Sequence, residues 1–149
     1  MPMDEPVEHL REGANLVIGL LGKHCDFEFG LNRASVEWAT GFIERQRVNP
    51  ELQQNPPSSL VTALGAFLGE CIAVETGGKW RWSEDGNYLG VAFDTPTKKD
   101  IHVFPINKVM KQFQNGLEGG DSILSMFDFA ASMTAGALEN AKIVYPKSV

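Results

Sequence analysis

The sequence predicts an α+β fold in which about five helices pack with a three-stranded antiparallel meander. Three observations lead to this prediction. Apolar residues recur at helical spacing both before residue 77 and after residue 105. Between these regions, three short segments have the composition of strands, and the polar segments EDGN and DTPTKKD separate them as turns. Consecutive strands with short turns pair most simply as antiparallel neighbours.

Two helices are predicted in the first third of the chain. The first runs from about Glu5 to Leu21 and stops at Gly22. The second runs roughly from Asn32 to Arg47 with apolar residues along one side. The proline-rich segment NPELQQNPPSS follows, and it predicts a connector that contains at most a residual turn.

The third predicted helix contains two glycines in its interior. Ser58 or Ser59 is predicted to cap its start, and the glycine pair at 77–78 to end it. Each interior glycine costs a helix about 1 kcal/mol relative to alanine, so Gly65 and Gly69 must serve packing. They fall on one face, where we expect another backbone or a large aromatic ring to approach closely. A membrane dimer motif is a poor interpretation, because the flanks are polar and the apolar stretch is short.

Three strands and two helices are predicted for the rest of the chain. The strands are KWRWS, YLGVAF and IHVFP. A fourth helix begins at Pro105 or the next residue and ends at the Asn-Gly pair 115–116. A fifth is capped by Asp121 or Ser122, and its apolar side is predicted to contain Leu124, Phe127, Ala131 and Leu138.

The alternation of side chains divides the predicted sheet into two faces. The core face carries Trp80, Trp82, Leu89, Val91, Phe93, Ile101 and Val103. The second face carries Arg81, Tyr88, Gly90, Ala92, His102 and Phe104, which is too apolar for bare solvent and too polar for an ordinary core. Either a terminal helix covers this face, or a ligand or partner does. Because monomers seldom expose large apolar patches, the favoured expectation is that the chain itself covers it.

Glu70 also has two interpretations. Its carboxylate could point toward the sheet, where Arg81, Lys79 or a tryptophan indole would contact it and form one side of a pocket. Alternatively, it lies at the border of a buried helix and is held by one salt bridge or is simply solvated. The second interpretation is favoured, because carboxylates at the edge of a surface are common and usually contribute little.

No catalytic, metal or cofactor site is predicted. The segment GKHCDFEFG places His24, Cys25, Asp26 and Glu28 together, but neighbours along a chain seldom point at one another. The glycine-rich segment GLEGGDS precedes a helix, yet a capping Asp121 would already occupy the helix amides. Cys25 and Cys71 are expected to be buried, reduced thiols.

Composition limits the classes of partner. The formal charge of −6 argues against binding to nucleic acid, which needs a clustered basic surface. The first residues lack the features of a secretory signal, and their longest apolar run is too short for a bilayer. We therefore predict a cytoplasmic protein without a membrane span, in which residues 1–149 form one domain.

Four motifs, in the order in which they occur along the chain, resemble those of an uncharacterised family of short bacterial domains of unknown function. They are LGAFLGE (64–70), GGKW (77–80), FPINKVMKQFQNG (104–116) and DSILSMF (121–127). The resemblance covers about 60–129, and it leaves an N-terminal helical part at 1–55 outside. It implies a bacterial source and a shared scaffold, and it carries no catalytic residues with it.

The leading functional hypothesis is a non-enzymatic protein-binding protein, such as an immunity or accessory protein. Its candidate binding residues are Glu70, Arg81, Tyr88, His102 and Phe104. The alternative is an enzyme or small-molecule binder with a pocket between the third helix and the sheet, lined by Glu70, Arg81 and His102. A structural or oligomerising module is a third hypothesis.

Overall fold

The computed structural model describes residues 4–136, and their backbone confirms the α+β prediction. The elements in chain order are α1 (Asp4–Gly22), α2 (Arg33–Gln46), α3 (Pro50–Gln54), α4 (Ser58–Thr76), β1 (Lys79–Trp82), β2 (Leu89–Phe93), β3 (Ile101–Val103), α5 (Pro105–Asn115) and α6 (Ile123–Ala135). A short 3₁₀ turn, Leu117–Gly119, joins the last two helices. The residual turn expected in the proline-rich connector is α3.

Helix α4 is the centre of the molecule. Helices α1, α5 and α6 and strands β1 and β2 all pack against it. Its side chains at Leu64, Phe67, Leu68 and Ile72 are fully buried. Among the described residues, α4 alone has the length and apolar composition of a membrane span. The prediction that its apolar stretch is too short was therefore wrong. Half of this stretch is buried, with residues 64–69 of the helix enclosed by the rest of the chain.

The two interior glycines of α4 lie against the neighbours that were expected, a backbone and a large aromatic ring. A Cβ built on Gly65 would lie 2.6 Å from the Cα of Ile106, so the backbone of α5 approaches at this point. A Cβ built on Gly69 would overlap the Cζ2 and Cη2 atoms of Trp80. One glycine thus admits a helix backbone and the other admits an indole ring.

The helix ends agree with the sequence in part. Asn32 accepts from the Ser35 N–H and caps α2, and Gly77 ends α4 in the left-handed region at φ 74°. The prediction of a serine cap for α4 was wrong, because Pro57 occupies the cap position without a side-chain hydrogen bond. Its carbonyl accepts from the Val61 N–H, and the two serines already lie inside the helix.

Helix α6 begins after one of its two predicted caps, but its buried side differs from the prediction. Ser122 is its cap and accepts from the Ser125 N–H, which excludes Asp121 from that role. The buried side of α6 consists of Ile123, Phe127, Ala130 and Met133. Leu124 and Ala131 are only half-buried, and Leu138 lies outside the described residues.

The sheet is an antiparallel meander in the order β1-β2-β3, and its register confirms both predicted faces. Trp80 lies opposite Val91, which lies opposite Val103, while Ala92 lies opposite His102. Trp82 departs from its expected place in the core. It is 43% exposed at the end of the edge strand β1, so the buried part of the core face ends at Trp80.

Candidate functional site

The face of the sheet that points away from α4 carries four of the five candidate residues. We call Arg81, Tyr88, Gly90, Ala92, His102 and Phe104 the open face. The register pairs Arg81 with Gly90, and the Ser83 N–H donates to the Tyr88 carbonyl, which extends the ladder to Tyr88. Tyr88 is 52% exposed, Arg81 is exposed, and His102 and Phe104 are half-buried. Within residues 4–136, this face is left open at Arg81 and Tyr88.

Three rings form a contiguous cluster on the open face. His102 stacks on Phe104 with a centroid distance of 4.7 Å and an interplanar angle of 29°. Tyr88 meets Phe104 edge to face at 6.1 Å. Each ring contacts at least one other ring of the cluster, which limits its freedom before any partner arrives. Restriction of this kind lowers the entropy that binding would otherwise cost.

Gly90 in the central strand is what allows the rings to lie on the sheet. A Cβ at this position would lie 2.8 Å from Phe104 Cδ1 and 3.1 Å from His102 Cδ2. Gly90 is buried because these rings cover it. The rings of Phe104 and His102 therefore cover the central strand on this face, and Tyr88 beside them stays accessible.

A hydrogen bond fixes the imidazole of His102 across the sheet. Its Nε2 lies 3.1 Å from the carbonyl oxygen of Arg81, on the far edge strand. A carbonyl oxygen only accepts, so Nε2 carries the proton and donates. The ring thus links β3 to β1 above the central strand.

The guanidinium of Arg81 is held at the border of the open face. Its Nη1 donates to Asp100 Oδ1. Asp100 has φ 57°, which is the left-handed region, and its N–H donates to Asp94 Oδ1 at 3.0 Å. Because the side chains of Arg81 and Asp100 are 53% and 65% exposed, solvent screens this pair and it contributes little stability.

Glu70, the fifth candidate, lies on the opposite side of the sheet. Its Oε2 accepts a hydrogen bond of 2.9 Å from the Trp80 indole Nε1, and Arg11 Nε lies 3.4 Å from Oε1. The indole contact is the one that the sequence offered as an alternative. Since Arg81 and His102 point to the other face, the structure does not bring Glu70 together with them in one pocket.

A small cleft borders Glu70 between α1, α4 and β1. It has a volume of about 230 Å³ and is lined by Val7, Arg11, Glu70, Ala73, Gly78, Lys79 and Trp80. Pockets that enclose small organic ligands usually measure about 300–1,000 Å³. The cleft is smaller than this range, and the carboxylate at its wall already has two protein partners.

A buried polar network was not predicted from the sequence. The Arg47 guanidinium donates to the Phe113 carbonyl at 2.9 Å, to Glu44 at 3.1 Å and to Glu118 at 3.1 Å. Gln112 is fully buried; it donates to Glu44 at 2.9 Å and accepts from the Ile123 N–H at 2.9 Å. These bonds join α2, α5 and the start of α6. Since the named groups satisfy one another, the network is a structural element and not a ligand site.

The segment with His24 and Cys25 gains no support as a catalytic site. Cys25 is half-buried and its thiol donates to the Leu21 carbonyl, whereas Cys71 is buried as expected. Burial, followed by the charge of Glu70, raises the pKa of Cys71 to about 12. Burial, followed by Asp26, also raises the pKa of Cys25. Both thiols are thus protonated at neutral pH, which is the unreactive form. Within residues 4–136 no group of three or more His, Cys, Asp or Glu could hold a metal ion.

The segment that matches a protein family is longer than the region indicated by the four sequence motifs. A model of the family described as a domain of unknown function (DUF3806) matches residues 36–122, which is more than half of the chain. The chain belongs to this family. The DUF3806 segment includes most of α2 and all of α3, both of which the motif resemblance had left outside. It ends at Ser122, the residue that caps α6, so that it excludes the whole of α6.

Contacts within the DUF3806 segment join its first helix to its last one. Glu44 and Arg47, both within it, connect α2 to the end of α5 through the buried network. The segment also contains every residue of the open face and Glu70, whereas α1 lies before it. No curated protein and no solved structure matches the chain.

Proposed function

We propose that this protein is a non-enzymatic protein-binding protein and that the open face is its binding surface. The observation that carries the proposal is Tyr88, which is 52% exposed and packs on the ring of Phe104, on the same face as the exposed Arg81. Tyrosine and arginine are the residues most often found as energetic anchors of protein interfaces. Phe104 and His102 form the base on which Tyr88 rests.

The composition of the open face also suits a partner that is a protein. Protein interfaces have an apolar centre rich in aromatic residues, surrounded by a polar rim. The ring cluster has the character of such a centre, and the pair of Arg81 with Asp100 has the character of such a rim. A second protein surface can cover the exposed rings and the arginine together.

The proposal extends to an immunity or accessory role in the bacterial cytoplasm. The resemblance to short bacterial domains supports a bacterial source. The free thiols of Cys25 and Cys71 support a location in the cytoplasm, because disulfides seldom persist in a reducing cytosol. Binding of a small molecule at the Glu70 cleft ranks second, since the cleft is small and its carboxylate is engaged by Trp80 and Arg11.

Photo-crosslinking in cells of the native host tests the proposal. A photoreactive phenylalanine analogue replaces Tyr88, and a matched variant carries it at Val48, which is 83% exposed between α2 and α3. We expect a crosslinked protein adduct at position 88 and none of the same mass at position 48. The absence of an adduct at position 88, or the same adduct at both positions, would contradict the proposal.

A further inference from the structure

Helix α1 presents an apolar surface to solvent beside an apolar groove. Leu16 and Leu20 lie one turn apart on α1 and are 58% and 53% exposed. The groove runs between α1 and the first half of α4, and is lined by His9, Leu10, Gly13, Leu16, Ser58, Ser59, Thr62, Ala63 and Ala66. A Cβ at Gly13 would lie 3.6 Å from the Cα of Ala63, so small residues bring the two helices close and form the floor.

We propose that this surface is the interface of a homodimer in which the α1 helices of two copies pack antiparallel. In a two-fold symmetric interface the same patch contacts itself, so it must contain both the protruding and the receiving parts. Here the two exposed leucines protrude, and the groove beside them can receive a leucine of the second copy. A second copy of the chain is therefore the occupant that this surface fits.

The spacing along α1 agrees with an antiparallel pair. If the two-fold axis passes beside Leu16, residue 20 of the second copy lies opposite residues 12 and 13 of the first. The second copy's Leu20 then lies over Gly13, which lines the groove and has no side chain to fill it. By symmetry, both copies place one leucine in the groove of the other.

The charges of α1 favour the same direction. The exposed Glu8 and Glu12 lie in its first half, where Arg11 is paired with Glu70, and the exposed Lys23 follows its end. An antiparallel arrangement places Glu8 near Lys23 of the second copy, whereas a parallel one would place glutamates against glutamates. Antiparallel helix dipoles also attract each other.

This interface is separate from the open face. Helix α1 precedes the DUF3806 segment, and the open face lies within it. The dimer therefore does not depend on the proposed binding function, and each of the two proposals fails or holds in its own experiment.

Sedimentation velocity of the full chain over a wide concentration range tests the dimer. We expect a monomer–dimer equilibrium for the wild type and a monomer for Leu16→Glu/Leu20→Glu at concentrations where the wild type is dimeric. Val48→Glu, at another exposed apolar position, is the matched control and should remain dimeric. Circular dichroism checks that each variant is folded. A wild type that is monomeric throughout, or a dimer lost in Tyr88→Ala and kept in the leucine variant, would overturn the proposal.

Cysteine crosslinking tests the direction of the helices in a Cys25→Ser background. A disulfide requires Cα atoms within about 7 Å, which Leu16→Cys satisfies beside the two-fold axis. Leu20→Cys is the control, because its two copies lie about 12 Å apart along an antiparallel pair at 1.5 Å per residue. We expect efficient dimer formation under mild oxidation for Leu16→Cys only. Equal crosslinking at both positions would indicate a parallel pair and overturn the arrangement.

Discussion

The indole of Trp80 lies against the backbone of Gly69, in the space that a side chain there would occupy. Its Nε1 reaches past this glycine and donates to Glu70, the next residue of α4, at 2.9 Å. The absence of a side chain at one position thus allows a hydrogen bond at the next. This pair of contacts fixes β1, and with it the sheet, on the central helix.

Alanine at either interior glycine of α4 should destabilise the fold. The helix gains about 1 kcal/mol in propensity, but the Cβ collides with Trp80 at Gly69 and with the Ile106 backbone at Gly65. Overpacking of this kind costs about 1–3 kcal/mol or more, so we expect a net loss in chemical denaturation. Gly41→Ala in α2 is the matched control, because its Cβ meets only the flexible end of Arg45 at 3.2 Å. A gain of stability in all three variants would refute the close-packing argument.

The bond between Trp80 and Glu70 should appear as a coupling energy. A double-mutant cycle combines Trp80→Phe, which removes the donor, with Glu70→Ala, which removes the acceptor. A hydrogen bond to a charged group contributes about 1.5–3 kcal/mol, so we expect coupling of about 1–2 kcal/mol in the free energy of unfolding. Losses that simply add would show that the bond does not stabilise the fold.

The sequence predicted those features that local patterns encode. Gly65 and Gly69 revealed a close approach because an interior glycine is costly in a helix, and the alternation of KWRWS assigned Trp80 and Arg81 to opposite faces. The exposure of Trp82 could not be predicted in the same way. Alternation gives the direction of a side chain, whereas burial depends on how far the neighbouring helix extends.

Removal of the Arg47 guanidinium should be far more harmful than removal of an exposed one. The side chain of Arg47 is 9% exposed and holds Glu44, Glu118 and the Phe113 carbonyl. Arg47→Met removes one partner of Glu44, which keeps Gln112 and is 23% exposed, so the cost should lie near the lower end of the range for a broken buried pair, at about 3 kcal/mol. Arg33→Met is the control, because Arg33 and Asp128 are 54% and 43% exposed and solvent screens such a pair, so that it contributes little stability. Equal losses in urea denaturation would contradict this ranking.

The network around Arg47 escaped sequence analysis for a physical reason. Its members come from segments separated by more than 60 residues along the chain, and no spacing connects Glu44 with Gln112. Only the packing of α2 against α5 brings them together. The placement of Glu70 away from Arg81 has a similar origin, since it depends on which face of the sheet meets α4.

Asp121 should make the protein sensitive to acid. Its Oδ2 accepts from Asn115 and its Oδ1 from Lys108, and these bonds hold the pKa of its carboxyl below the ordinary value of 3.8. A depressed pKa in the folded state adds stability above the unfolded pKa, and this stability is lost as the pH falls through the folded pKa. Asp121→Asn should therefore cost about 1–2 kcal/mol at neutral pH, with a deficit that shrinks as the pH falls below 3.8. A deficit that is the same at neutral and acid pH would contradict the assignment.

The most direct measurement of the proposed function is co-purification from the native host with the Arg81→Ala/Tyr88→Ala variant. The wild type and Val48→Ala serve as references, and chemical denaturation confirms that each protein is folded. Because Arg81 and Tyr88 are exposed, we expect the double variant to lose at most about 1 kcal/mol of stability. The account predicts that a protein partner accompanies the wild type and Val48→Ala and is absent from the double variant. A partner that accompanies all three proteins in equal amount would contradict the assignment of the open face as the binding surface.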